Sequence, residues 1–514
     1  MLAVARIDPQ LLAAHQLTLL AVAPTIWDAI DVDPAVRRSF DFSREGNPKS
    51  WTLRTAHGLV DFIAAFAARF ADRPLGIHFH DVERADSLDR EFIAVLQRRA
   101  DPGQLQVTID LAGMTTATQE AFSPDALMEA SNYGMRMAYY ECALEAALEG
   151  RKLGSSSPHH AGFTRNMLFA LLLLKRYDDV EALCRETATS GDPALLIHTT
   201  YAQAILNARY YDRRRHDYDA ARVWVAESLA FAGQLPTAES RAFNRGFLLN
   251  TMALVEMRKG NLTVALGLLN EGLGFMAENA PGHYAEGGTI LLRNRARLHV
   301  ARKLPNQAVE DLTRVLELDP SDSEAYLDRG LLHQRGGRYD LALGDYTAAI
   351  RWSAPYAESH FNRAQTLVAL GRYAAGLADY DRVLVLEPDH LGARINRACL
   401  HFEQGRNEAA QRDVENGLGK SPHNAPLLCL RGLLEMGQGR LSAAERSFAD
   451  AASAEPDFAD AWANRATVRY RLGDLEGAWS DIDRALSLRD DPAIRHNRDR
   501  ISAKRRRPMP QSPA

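Results

Sequence analysis

Apolar residues in the second half of the chain recur at the 3.6-residue spacing of helices that bury one face, and the whole pattern restarts every 34 residues from Thr289 to Pro492. Six copies follow one another without an insertion. Each predicts a first helix, a turn carrying glycine (Gly337, Gly371, Gly405, Gly439, Gly473), a second helix and a turn marked by proline at 320, 388, 422 and 456. Small residues recur where two helices must approach: Ala296, Gly330, Ala364, Ala398, Gly432 and Ala466 on the first helix, and Ala308, Ala342, Gly376, Ala410, Ala444 and Ala478 on the second. Bulky residues fill the space between, namely Leu312, Tyr346, Tyr380, Val414, Phe448 and Ile482. A single helix pair cannot bury such a face alone, so the pairs must stack.

Upstream the same pattern is ragged. Residues 161–288 read as about three degenerate units, with Ala253, Gly260 and Ala265 in the places these residues hold later. Residues 116–160 read as a helical stretch, Asp125–Glu149, and a linker, Gly154-Ser-Ser-Ser-Pro158, followed by His159 and His160 in a solvated loop. Residues 1–115 differ in kind. A helix near 55–71, a short β-like run at 75–80, a helix near 88–99 and a second run at 105–111 predict a small α/β unit with parallel strands. The basic residues of 493–514 read as a solvated, frayed tail.

Composition changes this picture little. Lysine and arginine number 61 against 66 acidic residues, a net charge of −5, so no global attraction to nucleic acid or an anionic membrane is expected. The apolar run 167–174 is far short of the roughly 20 residues a bilayer requires, and Leu17–Ala23 lacks the flanks of a signal peptide. Four separated cysteines, Cys142, Cys184, Cys399 and Cys429, read as small apolar residues in a reducing, cytoplasmic compartment. No Ser/His/Asp, Cys/His or paired-carboxylate spacing indicates an enzyme, and no cofactor is expected. His78 and His80 share a strand face with Asp81 nearby, without a third ligand to make a metal site.

Period, small residues, aromatics and prolines in phase identify residues 289–492 as similar to the tetratricopeptide repeat family, with 161–288 a weaker match. The resemblance implies a mostly α protein, an α-solenoid in which antiparallel helix pairs wind into a right-handed superhelix, and a concave groove, lined by first helices, that holds a peptide. Residues 75–102 resemble the second acidic motif of nucleotide-binding STAND-type ATPases, which would place Asp81 at a magnesium ion. No GxxxxGK[ST] loop precedes it to cradle phosphates, so the segment reads as a degenerate fragment.

Two further columns keep the period. Arg295, Arg329, Arg363, Arg397, Arg431 and Arg465 are each followed, 16 residues later, by Asp311, Asp345, Asp379, Asp413, Ser447 and Asp481. Five of the six partners are carboxylates, and a first-helix arginine facing a second-helix aspartate would neutralise both charges with directional hydrogen bonds, an architectural role rather than ligand contact. The adjacent column reads Asn294, Asp328, Asn362, Asn396, Leu430 and Asn464. In the family this place faces the groove, where an amide offers a peptide backbone both donor and acceptor; neutral surface explains it equally well. Arg293, Arg297, Arg335, Arg471, Phe361, Phe402, Met436 and Tyr470 complete an expected groove for a peptide with acidic and apolar side chains. The leading expectation is a protein-interaction scaffold or adaptor; the alternative is a signalling regulator derived from a nucleotide-binding ATPase, with the repeats as sensor.

Overall fold

The computed structural model describes residues 11, 14–16, 18, 19, 48–69, 75–79, 87–99, 101, 105–109, 123–136, 140–154, 157–210 and 216–505. They fall into two compact units, Met1–Tyr356 and Ala357–Ala514.

The first unit begins with α1 (Pro48–Ala67), β1 (Leu75–Phe79), α2 (Ser87–Arg99) and β2 (Leu105–Ile109). β1 and β2 pair in parallel, Leu75 opposite Leu105 and Phe79 opposite Ile109, which requires the crossover that α2 provides. Ala56, Val60, Val95, Leu96 and Leu105 form the small core between helices and strands. Arg99 fixes α2 to α1 through Asp61 and the buried His57. Asp81 and His80 lie outside the described residues.

The rest of the first unit is built of helix pairs: α3 (Pro124–Arg136) with α4 (Tyr140–Arg151), α5 (His160–Leu173) with α6 (Tyr177–Thr187), α7 (Pro193–Ile205) with α8 (Tyr218–Ala232), α9 (Ala238–Lys259) with α10 (Leu262–Asn279), α11 (Tyr284–Ala301) with α12 (Pro305–Leu318), and α13 (Ser323–Arg335) with α14 (Tyr339–Arg351). The stretch expected as one helix over 125–149 is thus two, and the helices on either side of the expected linker pack together; residues 155 and 156 of that linker lie outside the described residues. Gly150 explains the closeness: a Cβ there would lie 2.2 Å from the buried Phe163 ring. His159, expected to be solvated, meets Asp125 at 2.6 Å and packs edge-on against Phe163.

The second unit contains α15 (Ala357–Ala369) with α16 (Tyr373–Leu386), α17 (Leu391–Glu403) with α18 (Asn407–Lys420), α19 (Ala425–Gly437) with α20 (Leu441–Ala454), α21 (Ala459–Leu472) with α22 (Leu475–Leu488), and a terminal helix α23 (Pro492–Arg505). The fold is a mostly α solenoid of repeated helix pairs. The glycine column ends first helices in the left-handed region, with φ from 71° to 91° at Gly337, Gly371, Gly405, Gly439 and Gly473. In the copy that lacks this glycine, Lys303 adopts φ 61° instead, so the turn survives without its favoured residue.

The frayed tail expected after residue 492 is the described part of α23. Its Ile494 and Ile501 are buried against Ala478, Ile482 and Ala485. Lys504 lies 4.5 Å from the centroid of Tyr470, and Arg505 lies over Trp479 while pairing with Glu476 at 2.7 Å. Apolar spacing within a basic segment thus closes the last helix pair.

Candidate functional site

The sequence columns resolve first into a brace. In the second unit, Arg363 donates from Nε and Nη2 to both oxygens of Asp379 at 2.7 and 2.8 Å, and Arg465 does the same to Asp481 at 2.7 Å. Arg397 engages Asp413 in the same two-point manner. In the first unit, Arg295 pairs with Asp311, and Arg329 with Asp345. Where serine replaces the aspartate, Arg431 donates to Ser447 Oγ at 2.9 Å and that hydroxyl donates to Glu435 at 2.7 Å, so the carboxylate has moved to the first helix. These arginines are committed to internal partners, which gives the column the architectural role expected of it.

A third column surrounds the braces and was not singled out from the sequence, although it keeps the same period. His299 Nε2 lies 3.6 Å from Asp311, His333 Nε2 lies 3.8 Å from Asp345, and Arg469 Nη1 reaches Asp481 at 3.0 Å. His401 and Glu435 hold the corresponding places in other copies. Burial lowers the pKa of His299, His333 and His401 despite the neighbouring carboxylates. Leu367 occupies this place in the copy of Asp379, and His360, two turns earlier on α15, supplies that carboxylate with a partner at 2.9 Å. For Asp379, burial raises the pKa, but hydrogen bonds from Arg363 and His360 outweigh it and hold the carboxyl below its ordinary value.

These directions set a pH dependence. A histidine lowered on folding contributes stability that is present above its unfolded value of about 6.5 and is lost as pH falls through that value toward the folded one. His198, on α7, extends this window downward, since burial lowers it to about 4. Asp379 acts further down, because its contribution is present above the unfolded carboxylate value of about 3.9 and is lost below it. Urea midpoints are therefore expected to decline from pH 7 to 5, and His198→Phe is expected to flatten the decline. A midpoint constant over that interval would refute the histidine assignment.

The amide column divides. In the first unit Asn294 is 7% exposed and donates to Asn250 Oδ1 at 2.8 Å, so that amide serves the packing of α11 on α9. Asp328 is half-buried, and burial raises its carboxyl pKa although Arg297 and Arg293 pull it down. Arg293 is held by Asp322 and Glu324, whereas Arg297 and Arg335 are exposed. In the second unit Asn362 is 8% exposed, Asn396 adjoins the Tyr380 hydroxyl, and Asn464 donates to Cys429 Sγ at 3.3 Å. Phe361 packs between Tyr380 and His390, with centroid distances of 6.1 and 4.8 Å. Tyr470, expected in the groove, lies beneath Lys504 and Arg500 of α23; Arg471 is exposed.

Several first-helix apolar residues of the second unit are only partly buried. Ile395, Cys399 and Phe402 recur at i, i+4 and i+7 on α17 and are half-buried, packed on the edge of the core, as are Leu433 and Met436 on α19. Burial raises the Cys399 thiol and takes Cys429 to about 11, which keeps both protonated and unreactive. Among the described residues no group of three His, Cys, Asp or Glu side chains could hold a metal ion. No helix among them is long and apolar enough to cross a membrane.

Stacked helix pairs braced by internal ion pairs define a helical-repeat protein. Three stretches, 293–357, 361–425 and 429–493, match the tetratricopeptide repeat model, and this part of the chain belongs to the tetratricopeptide repeat family. Proteins of this kind serve in general as protein-interaction scaffolds. Among solved structures, MamA from Desulfovibrio magneticus RS-1 is 20% identical, over 32% of this chain and 94% of its own, with a TM-score of 0.30. A tetratricopeptide repeat protein from Parabacteroides merdae is 21% identical, over 54% of this chain and 99% of its own, with a TM-score of 0.35. YrrB, described as having an unusual peptide-binding site, is 16% identical, over 37% and 99%, with a TM-score of 0.31. No curated protein matches the sequence significantly.

Proposed function

We propose that the protein is a non-enzymatic adaptor whose second unit holds a peptide of a partner protein against the first helices α17 and α19. The observation that carries this reading is the contrast between the two helices of each pair. Second-helix fillers such as Tyr380, Val414 and Phe448 are at most 2% exposed, whereas the first-helix residues Ile395, Phe402, Leu433 and Met436 are only partly buried at the edge of the core. Apolar side chains left partly in water at helical spacing on adjacent helices offer area that a partner can cover. Asn396 adds an amide beside them, and Arg471 and Glu403 supply charge at the margins. In the first unit, Arg297 and Arg335 are the expected groove residues that are exposed, and Asp328 lies half-buried near Arg297.

The test is capture of partners from native extract by the wild type and by a Phe402→Ala, Met436→Ala double variant. Loss of partners with unchanged far-ultraviolet circular dichroism is the expected result. Recovery of the same partners by both would sink the assignment of this face. Adding Asn396→Ala and Asn464→Ala to the wild type separates the amides: Asn396 is expected to weaken capture, and Asn464, engaged with Cys429, to change it little.

A further inference from the structure

Most first-helix arginines described above have an acidic partner. Arg165 on α5 does not. Its Nε donates to Asn166 Oδ1 at 3.1 Å and one Nη2 hydrogen goes to Asn132 Oδ1 at 3.2 Å; both acceptors are neutral amides. The amides are themselves fixed, because Asn166 Nδ2 donates to Ser131 Oγ at 3.0 Å and to Asn132 Oδ1 at 2.9 Å, and Ser131 donates to the carbonyl of Ala143 at 2.9 Å. The half-buried guanidinium is thus held in place by α3 and its own helix, and among the described residues Nη1 has no hydrogen-bond partner. Burial lowers the Arg165 pKa, and no described carboxylate offsets it.

Beside this cation lie three rings, of which Phe169 and His198 are half-buried and Tyr201 belongs to the core, where it also packs on Phe247. Phe169, one turn further along α5, meets Tyr201 at a centroid distance of 5.5 Å and His198 at 6.2 Å, both on α7. The charge of Arg165 is felt at His198, where, after burial, it is the second cause keeping that imidazole neutral. A half-buried guanidinium with unused donors matches a carboxylate in both charge and fork geometry, and the adjoining rings match an apolar residue next to it. We propose that Arg165, Phe169 and His198, with Tyr201 packed behind Phe169, form an anchor for an acidic side chain of a bound peptide, with a neighbouring aromatic or large apolar side chain laid on the half-buried rings. This rests on the reading that the chain binds peptides, but it places a distinct subsite in the first unit, on α5 and α7.

The experiment uses the full chain and two pools of labelled peptides with randomised flanks around a central Leu-Xaa-Phe, where Xaa is Glu in one and Gln in the other. Wild type is expected to bind the Glu pool about 10-fold more tightly, measured by fluorescence anisotropy. Arg165→Gln is expected to bind both pools equally, and Arg165→Lys to keep a smaller preference, because it retains charge without the fork. Arg165→Gln should also keep or raise the urea midpoint, since it removes a cation that has no acid partner; if it fails to fold, Arg165→Lys alone decides, and an undiminished preference in it overturns the proposal. Equal binding of the two pools by wild type overturns the anchor while leaving the peptide-adaptor reading in place. Binding of neither pool also overturns the anchor, and the adaptor reading is then judged separately by the Phe402 and Met436 variants.

Discussion

Arg363→Ala is expected to cost about 3 kcal/mol of stability, read as a lower urea midpoint for the transition of residues 357–505. Asp379 is 7% exposed on its side chain and depends on two hydrogen bonds from this guanidinium, so the substitution leaves a buried carboxylate with His360 as its principal remaining partner. Arg431→Ala provides the control. Its second-helix partner is the neutral Ser447, and its ionic contact, with Asp450 at 3.3 Å, is on the surface. Its cost is expected to be about 1 kcal/mol or less. Replacing Arg363 and Asp379 together by leucine should recover most of the loss, because a buried ion pair adds little net stability once its desolvation is counted. If Arg363→Ala left the unfolding curve unchanged and abolished partner capture, the brace would be a binding site instead.

Phe448→Ala is expected to cost about 3–5 kcal/mol. The ring is fully buried, and Gly432 exists in its present form to admit it, since a Cβ at that position would lie 2.7 Å from the ring. Stacked repeats contact mainly their neighbours, so the damage should be local. Amide exchange is expected to accelerate most in 425–454 and least at the far end of the unit. Uniform acceleration from 357 to 505 would show that the second unit unfolds as one cooperative block.

The helix pairs and their braces were legible because each depends on residues a fixed distance apart. An arginine and an aspartate 16 residues apart, on two helices joined by a short glycine turn, meet in every copy that keeps them. The histidines of the third column obey the same interval and could have been found by it; they were missed because Leu367, Glu435 and Arg469 interrupt the residue type without interrupting the place. The groove was less legible. Asn294 and Asn464 share a column position, yet one binds Asn250, 44 residues back, and the other the thiol of Cys429, 35 residues back. Those partners belong to preceding repeats of different length and composition, which a single column does not describe.

The ends show the same limit. The basic composition after Pro492 indicates a solvated tail, but Ile494 and Ile501, one helical face of an otherwise charged segment, suffice to dock α23 and place Lys504 over Tyr470. Likewise, Gly154–Pro158 has the composition of a linker, while Phe163 seated against Gly150 packs together the helices on either side of it. By itself the sequence determined the repeat, the pairing of helices within each copy, and the arginine–aspartate braces, because their partners lie at one constant separation. Only the tertiary structure decided which periodic side chains remain open to a ligand: that depends on what the neighbouring helix places against them, and in α5 it left Arg165 facing amides and rings where other copies supply an acid.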